Sequence, residues 1–362
     1  MSLLRRYRCV TCAATHAPDA TRWRCDCGGW LDLEPPINGP LPANAQGIWR
    51  WAQALPFSGD SVWPSRVMLG EGATPIATVN VGGRSAIAKL EFLSPTLSFK
   101  DRGAVVLVAV AAEVGAARLV ADSSGNAGTA LAAYAGRARL PIEVFVAAAT
   151  SPAKLAQLRA HGAVIRAVDG DRSAVQAAAV ERVARGDAFY ASHVFNPFFW
   201  EGTKTFAFEV WEQLGHRLPH TIVVPVGNGT LAFGVHRGCR ELLSAGLVDR
   251  VPRLVGVQAA GCAPIAAAFA AGATEVAPVA PEPTIATGIA IGAPPRGTEL
   301  LGILDDVVTV TDDEISAAQD ELAAQGLFVE PTAATPAAAL AKVDPTDVVI
   351  PLSGAGLKAV AS

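Results

Sequence analysis

Four short segments carry residue types and spacings that could do chemistry. The first, Ser94-Pro-Thr-Leu-Ser-Phe-Lys100-Asp-Arg-Gly103, sets a lysine at the mouth of a helix. A lysine amine attacks a carbonyl, giving a carbon–nitrogen double bond, once burial or nearby positive charge lowers its pKa. The competing reading is a solvated lysine beside a capping aspartate. The second segment, Ala121-Asp-Ser-Ser-Gly-Asn126-Ala-Gly128, joins a strand to a helix. Its small residues let the backbone come close to a ligand, and free N–H groups at a helix start suit a carboxylate. An ordinary strand-to-helix turn explains it equally well. The third, Val224-Pro-Val-Gly227-Asn-Gly-Thr230, offers amides and a hydroxyl to a phosphate, or is a structural turn. No Gly-Lys-Ser/Thr follows, so it is not a nucleotide-triphosphate loop. The fourth, Ile350-Pro-Leu-Ser353-Gly-Ala-Gly-Leu-Lys358, places a serine at a strand end, where it could meet a ring heteroatom or simply close a turn.

A separate cluster opens the chain. Cys9-Val-Thr-Cys12 and Cys25-Asp-Cys27 are two paired thiols with twelve residues between the pairs. Zinc favours four soft ligands in a tetrahedron, and a reducing compartment favours metal over disulfide. The second pair is C-x-C and not C-x-x-C, and His16 is an alternative ligand. Cys239 and Cys262 lie in apolar contexts and read as packing residues. None of the six histidines sits in a nucleophile motif. His193, just ahead of Phe195-Asn-Pro197, is a candidate to line a site. Arg102 and Arg296 suit either an ion pair or a substrate phosphate.

These segments need a frame to position them. The chain has 362 residues, 51% hydrophobic and 17% charged, enough for more than one lobe. A net charge of −4 without long single-sign runs argues against a nucleic-acid or membrane-surface partner. The most apolar windows, Ala104–Ala112 and Ala259–Ala273, fall short of the ~18 residues of a spanning helix. With no apolar leader at the start, a cytoplasmic protein is expected. Short β-branched runs at Leu119–Ala121, Ile142–Ala147, Val164–Val168, Thr221–Val226, Leu254–Val257, Val307–Val310 and Asp347–Leu352 read as strands. Alanine-rich helical stretches lie between them, including Gly103–Ala117, Gly128–Arg139 and Leu231–Leu247. This alternation predicts an α/β protein with mostly parallel open sheets covered by helices. In such sheets ligands sit beyond the carboxyl ends of strands, where three of the four segments fall.

Taken as a set, Ser98-Phe-Lys100-Asp-Arg-Gly with Ser124-Gly-Asn126, the later glycine loop and the Ser353 turn resembles the fold-type II (tryptophan-synthase β-like) PLP enzymes. Leu69-Gly-Glu-Gly-Ala-Thr-Pro75, Asn196-Pro-Phe-Phe-Trp-Glu-Gly-Thr-Lys-Thr205, Thr284-Ile-Ala-Thr287 and Gly326-Leu-Phe-Val-Glu330-Pro331 extend the likeness from about residue 67 to the end. Within the superfamily the threonine synthases are most similar. The resemblance implies pyridoxal 5′-phosphate on Lys100, which also shuttles the Cα proton. It implies Asn126 at the cofactor 3′-oxygen, Gly227, Asn228, Gly229 and Thr230 at its phosphate, and Ser353 at its ring nitrogen. Ser98, Ser123, Ser124, Gly125 and Lys204 would contact the amino-acid substrate. The cysteine-rich start, residues 1–34, would be a zinc-ribbon-like unit with structural Zn2+ on Cys9, Cys12, Cys25 and Cys27. Residues 35–104 and 200–362 would form a large cofactor domain and 105–199 a smaller mobile one, in a chain whose family commonly forms homodimers. The implied reaction converts O-phospho-L-homoserine and water to L-threonine and phosphate. Ser353, where the resembling synthases carry Thr, and Leu97, where Gly is common, leave open a serine/threonine dehydratase or another β-elimination or β-replacement enzyme. A non-catalytic binding module is the remaining class, against which the intact Lys100 and Asn126 stand.

Overall fold

The computed structural model describes residues 5–35 and 39–360. The chain divides into two compact units. One contains residues 1–72 and 100–203, the other 73–99 and 204–360, with boundaries at Gly72, Phe99 and Thr203. The strands in chain order are β1 Tyr7–Cys9, β2 Thr15–His16, β3 Leu31–Leu33, β4 Ile76–Val81, β5 Arg84–Lys89, β6 Leu119–Ala121, β7 Ile142–Ala147, β8 Val164–Val168, β9 Phe189–Tyr190, β10 Thr221–Pro225, β11 Arg253–Ala259, β12 Asp306–Val310 and β13 Val348–Pro351.

The first unit holds two sheets. β2, β1 and β3 form a small antiparallel sheet. The second has the order β8-β7-β6-β9, parallel throughout. β6 is a continuous apolar run and β7 is apolar apart from Glu143, which pairs with Arg166 and Arg182, as buried parallel strands require. One core cluster joins Val120, Phe145, Val175, Ala179, Val183, Tyr190, Val194 and Phe195, with Trp23 and Trp30 packed against it. The helix Lys100–Glu113 is buried on every face from Asp101 to Ala112. Such a helix is core material and shows no amphipathic stripe.

The second unit carries a six-stranded sheet in the order β12-β11-β10-β13-β5-β4. It is parallel except for β4, which pairs antiparallel with β5 through a turn at Gly82 and Gly83, both at positive φ. The sheet is therefore mixed, with its one antiparallel pair at an edge. Its core runs through Val223, Val255, Val257, Ile289, Val310, Ala333 and Ile350. A buried ion pair, Lys89 Nζ to Glu209 Oε2 at 2.8 Å, fixes β5 to the helix Thr205–Gln213. No described helix is long and apolar enough to cross a membrane.

Candidate active site

Lys100 is the first residue of its helix. That helix lies close against the helix Phe198–Thr203, and glycines make the approach feasible. A Cβ at Gly103 would stand 2.6 Å from Phe199 Cζ. Lys100 Nζ lies 5.9 Å from the Phe199 ring centroid. His193 meets the same ring edge-on, with centroids 5.9 Å apart. Its imidazole is buried, and burial, then the positive charges of Lys100 and Arg172, hold its pKa well below the usual histidine range. His193 is therefore neutral at neutral pH. The structure thus places His193, the histidine that the sequence suggests for lining a site, beside the candidate lysine.

The Ser123–Asn126 segment follows β6 in the same unit. Buried Asp122 is gripped by Arg172, which donates to its backbone carbonyl and, at 2.6 Å, to its carboxylate Oδ2. Arg172 opens the helix Arg172–Val183 behind the N-cap Asp171. Sequence reasoning passed over Arg172, and only the Asp-Arg-Ser start of a helix marked it. Gly125 is the N-cap of the helix Asn126–Ala138, and no side chain caps that helix. The turn is tight: a Cβ at Gly128 would come within 2.9 Å of the Ser123 carbonyl carbon. Nothing stands within 4 Å of where a Gly125 Cβ would project. With glycine at the N-cap, no capping side chain competes at this helix start, and the geometry and dipole of a helix N-terminus suit an anion.

In the second unit, Gly227–Thr230 joins β10 to the helix Thr230–Ser244, again without a side-chain cap. Gly229 adopts φ +74°, a left-handed conformation that favours glycine, and a Cβ there would lie 2.8 Å from Leu300 Cδ1. A Cβ at Gly227 would meet Ile289 Cα at 3.0 Å. The loop is a bare-backbone cradle. The same unit brings Ser98 and Ser353 together. Ser98 forms an antiparallel bridge with Gly354, and Phe99 N donates to the Ser353 carbonyl at 3.0 Å. Both serines are buried, and among the described residues the Ser98 hydroxyl has no hydrogen-bond partner. Leu97, in the turn before them, has φ +65°. The segment that leads into Lys100 therefore holds a left-handed residue where glycine would be relaxed.

Lys204 is fully buried within this unit, and its ammonium pairs with Glu241 Oε2 at 2.8 Å. The pair pins the helix Thr205–Gln213 to the helix Thr230–Ser244, which gives Lys204 a structural engagement. Arg296 pairs with Glu299 and covers the Phe233 ring at 5.8 Å. Arg102 is fully buried in the Lys100 helix.

Cys9, Cys12, Cys25 and Cys27 converge, their four sulfurs all within 4.8 Å of one another. Cys9 to Cys27 is 3.5 Å and Cys12 to Cys25 is 3.6 Å, far beyond a disulfide bond. Thr11 and Cys12 amides point at Cys9 Sγ, and the Gly29 amide points at Cys27 Sγ. Burial opposes ionisation of Cys9, but the Cys12 and Thr11 amides together with the Cys27 and Cys12 thiols bring it down to about 6. A tetrahedral Zn–S bond of ~2.3 Å requires sulfurs about 3.8 Å apart, so the donor set fits a metal ion. His16 Nε2 approaches Cys25 Sγ at 3.3 Å. Cys239 and Cys262 are buried, as the sequence predicts.

The fold and the residue types of these segments define a class. The chain belongs to the pyridoxal-phosphate dependent enzyme family, whose pattern matches residues 67–354. Among its relatives, the threonine synthase of Methanosarcina acetivorans is 33% identical over 354 residues, covering 93% of this chain and 86% of the relative. The threonine synthase of Methanocaldococcus jannaschii is 34% identical over 355 residues, 93% of this chain and 87% of the relative. In three dimensions, a solved threonine deaminase from T.th. matches with TM-score 0.67 at 25% identity, over 78% of this chain and 92% of that one. Family membership implies pyridoxal phosphate. The residues present fit it: a lysine amine at a helix mouth, two helix starts that no side chain caps, and the buried Ser98 hydroxyl.

Proposed function

We propose that the chain is a PLP-dependent threonine synthase, a lyase converting O-phospho-L-homoserine and water to L-threonine and phosphate. One observation carries the reading: threonine synthases are 33–34% identical to this chain over 93% of its length. The first residues, cysteines included, lie outside the region matched to the broader family, which begins at residue 67.

In this reading Lys100 Nζ holds the cofactor and moves the proton at the substrate Cα. The cofactor, when bound, supplies an electron sink for charge that develops at that carbon. Asn126 would hydrogen-bond the cofactor 3′-oxygen. Ser123, Ser124 and Gly125, with the amides behind them, hold the substrate carboxylate, and Arg172 keeps that turn in place through Asp122. The Gly227–Thr230 backbone holds the cofactor phosphate. Ser353 would serve the cofactor's ring nitrogen, and a neutral hydroxyl there would leave that nitrogen unprotonated. Ser98, whose buried hydroxyl has no hydrogen-bond partner among the described residues, would offer it to the substrate. Neutral His193 beside Lys100 adds no positive charge to compete with proton transfer at the amine. Each general acid–base step of this kind is worth ~10²–10⁴-fold. Cys9, Cys12, Cys25 and Cys27 hold a structural zinc ion, and the reduced cysteines suit a cytoplasmic setting.

The test is a paired assay on the PLP-loaded protein: phosphate release from O-phosphohomoserine, and 2-oxobutanoate release from threonine. Phosphate release with threonine as co-product supports the synthase. The converse result assigns a dehydratase, the reading favoured by Ser353 and by the likeness to a threonine deaminase. Neither product, with no visible cofactor band, overturns both.

A further inference from the structure

We propose that the metal held by Cys9, Cys12, Cys25 and Cys27 is what keeps the Phe189–Glu201 segment seated beside Lys100, with Trp23 and Trp30 as the positioning residues that connect the two. All the residues involved belong to the first unit.

The small sheet has strands of only three, two and three residues. A sheet this short is not stable by its own hydrogen bonds. The four convergent sulfurs are its cross-link. The two indoles are adjacent to the ligands in sequence, Trp23 two residues before Cys25 and Trp30 three after Cys27. Trp30 O accepts from Val10 N at 3.0 Å, so Trp30 is tied to the Cys9–Cys12 turn as well. Gly29 lets the two turns close, since a Cβ there would sit 2.7 Å from Cys9 Sγ.

From this platform several contacts reach the same downstream segment. Trp30 stacks on Phe195, with centroids 4.8 Å apart and planes 15° apart. Trp23 meets Tyr190 edge-on at 5.2 Å and Phe195 at 5.7 Å. Tyr7, fully buried in β1, packs on Phe198 at 5.3 Å and accepts from Asn196 Nδ2 at 3.5 Å. Arg5 forms a buried ion pair with Glu201. Between these anchors lie His193 and Phe199, the two side chains beside Lys100. The segment is thus held from one side by the cysteine platform and presents its other residues to the lysine. Aromatic pairs of this geometry add stability beyond their buried area, and they persist only while both partners are ordered. Loss of the metal frees the platform, then Phe195, then the His193–Phe199 face.

The experiment is hydrogen–deuterium exchange on the full-length protein, with zinc measured by plasma mass spectrometry. Three samples are compared: zinc-loaded protein, the Cys12→Ser/Cys27→Ser variant, and Trp30→Ala. The zinc-loaded protein should carry about one ion per chain. The cysteine variant should lose it, and exchange in peptides spanning 189–203 should rise by about tenfold or more, while peptides spanning 221–244 stay unchanged. Trp30→Ala should keep its zinc and still show faster exchange over 189–203. The inference fails if zinc does not bind after reconstitution with Zn2+, if 189–203 exchanges equally in all three samples, or if exchange rises in both peptide groups alike. The consequence for catalysis rests on Lys100 as the cofactor lysine. Metal content and exchange do not, so a failed substrate assay leaves this inference standing and the reverse also holds.

Discussion

Gly202→Ala sets helix propensity against packing. Alanine is favoured over glycine inside a helix by about 0.8–1 kcal/mol, so propensity alone predicts a more stable protein. Gly202, however, lies where the Phe198–Thr203 helix crosses the Lys100 helix. A Cβ there would stand 2.5 Å from the Arg102 carbonyl carbon and 2.8 Å from Gly103 Cα. Both neighbours are backbone, so no side chain can rotate away and the helices must part by roughly 1 Å. Overpacking of this kind costs about 1–3 kcal/mol, and a backbone-on-backbone clash belongs at the upper end. The net expectation is a loss of about 2 kcal/mol, opposite in sign to propensity. Arg102 is two residues from Lys100, so the displacement carries to the amine, and a misplacement of about 1 Å costs on the order of 10²-fold in rate. Urea denaturation followed by tryptophan fluorescence, with kcat measured on the same preparation, reads both effects. Wild-type or higher stability together with unchanged kcat would refute the reasoning.

Lys204→Met should lower stability by about 3–5 kcal/mol because it removes the buried ammonium that Glu241 faces at 2.8 Å, while Lys204→Met/Glu241→Leu should recover most of the loss, as read by urea midpoints. Gly229→Ala combines a left-handed backbone with a clash on Leu300. It should weaken cofactor retention by at least about tenfold in dialysis monitored by visible absorbance, with the fold intact by circular dichroism. His193 has a folded pKa depressed below its unfolded value near 6.5, so the unfolded state binds the extra proton first. Its contribution is fully present above pH 6.5 and is lost as pH falls below that value. His193→Gln should flatten the fall in Tm over this acidic window, and an unchanged slope would exclude the assignment.

Much of the frame was legible because parallel strands leave a plain signal. The β-branched runs at Leu119–Ala121, Ile142–Ala147 and Val164–Val168 coincide with β6, β7 and β8. The helices after β6 and β10 start within two residues of their expected positions. The β4–β5 hairpin escaped because its strands, half exposed and lying before the regular repeat, lack a continuous apolar run. The Phe198–Thr203 helix escaped for a different reason: it has six residues and is defined by its packing on the Lys100 helix, not by periodicity. At the candidate site, Lys100 at the mouth of its helix and the Ser123–Asn126 turn between β6 and its helix were readable as positions from residue type and order. Arg172 was not, because its partner Asp122 is fifty positions away and an arginine at a helix start looks like any solvated one. Lys204 shows the converse, since its motif suggested a substrate contact and its burial against Glu241 is visible only in three dimensions.

Whether Lys100 carries the cofactor decides the rest. The most direct measurement is borohydride reduction of the PLP-loaded protein, followed by proteolysis and mass spectrometry of the phosphopyridoxyl peptide. The expected result is one modified lysine, Lys100, and loss of the adduct in Lys100→Ala. An adduct on a different lysine, or none in protein that retains PLP, would contradict it.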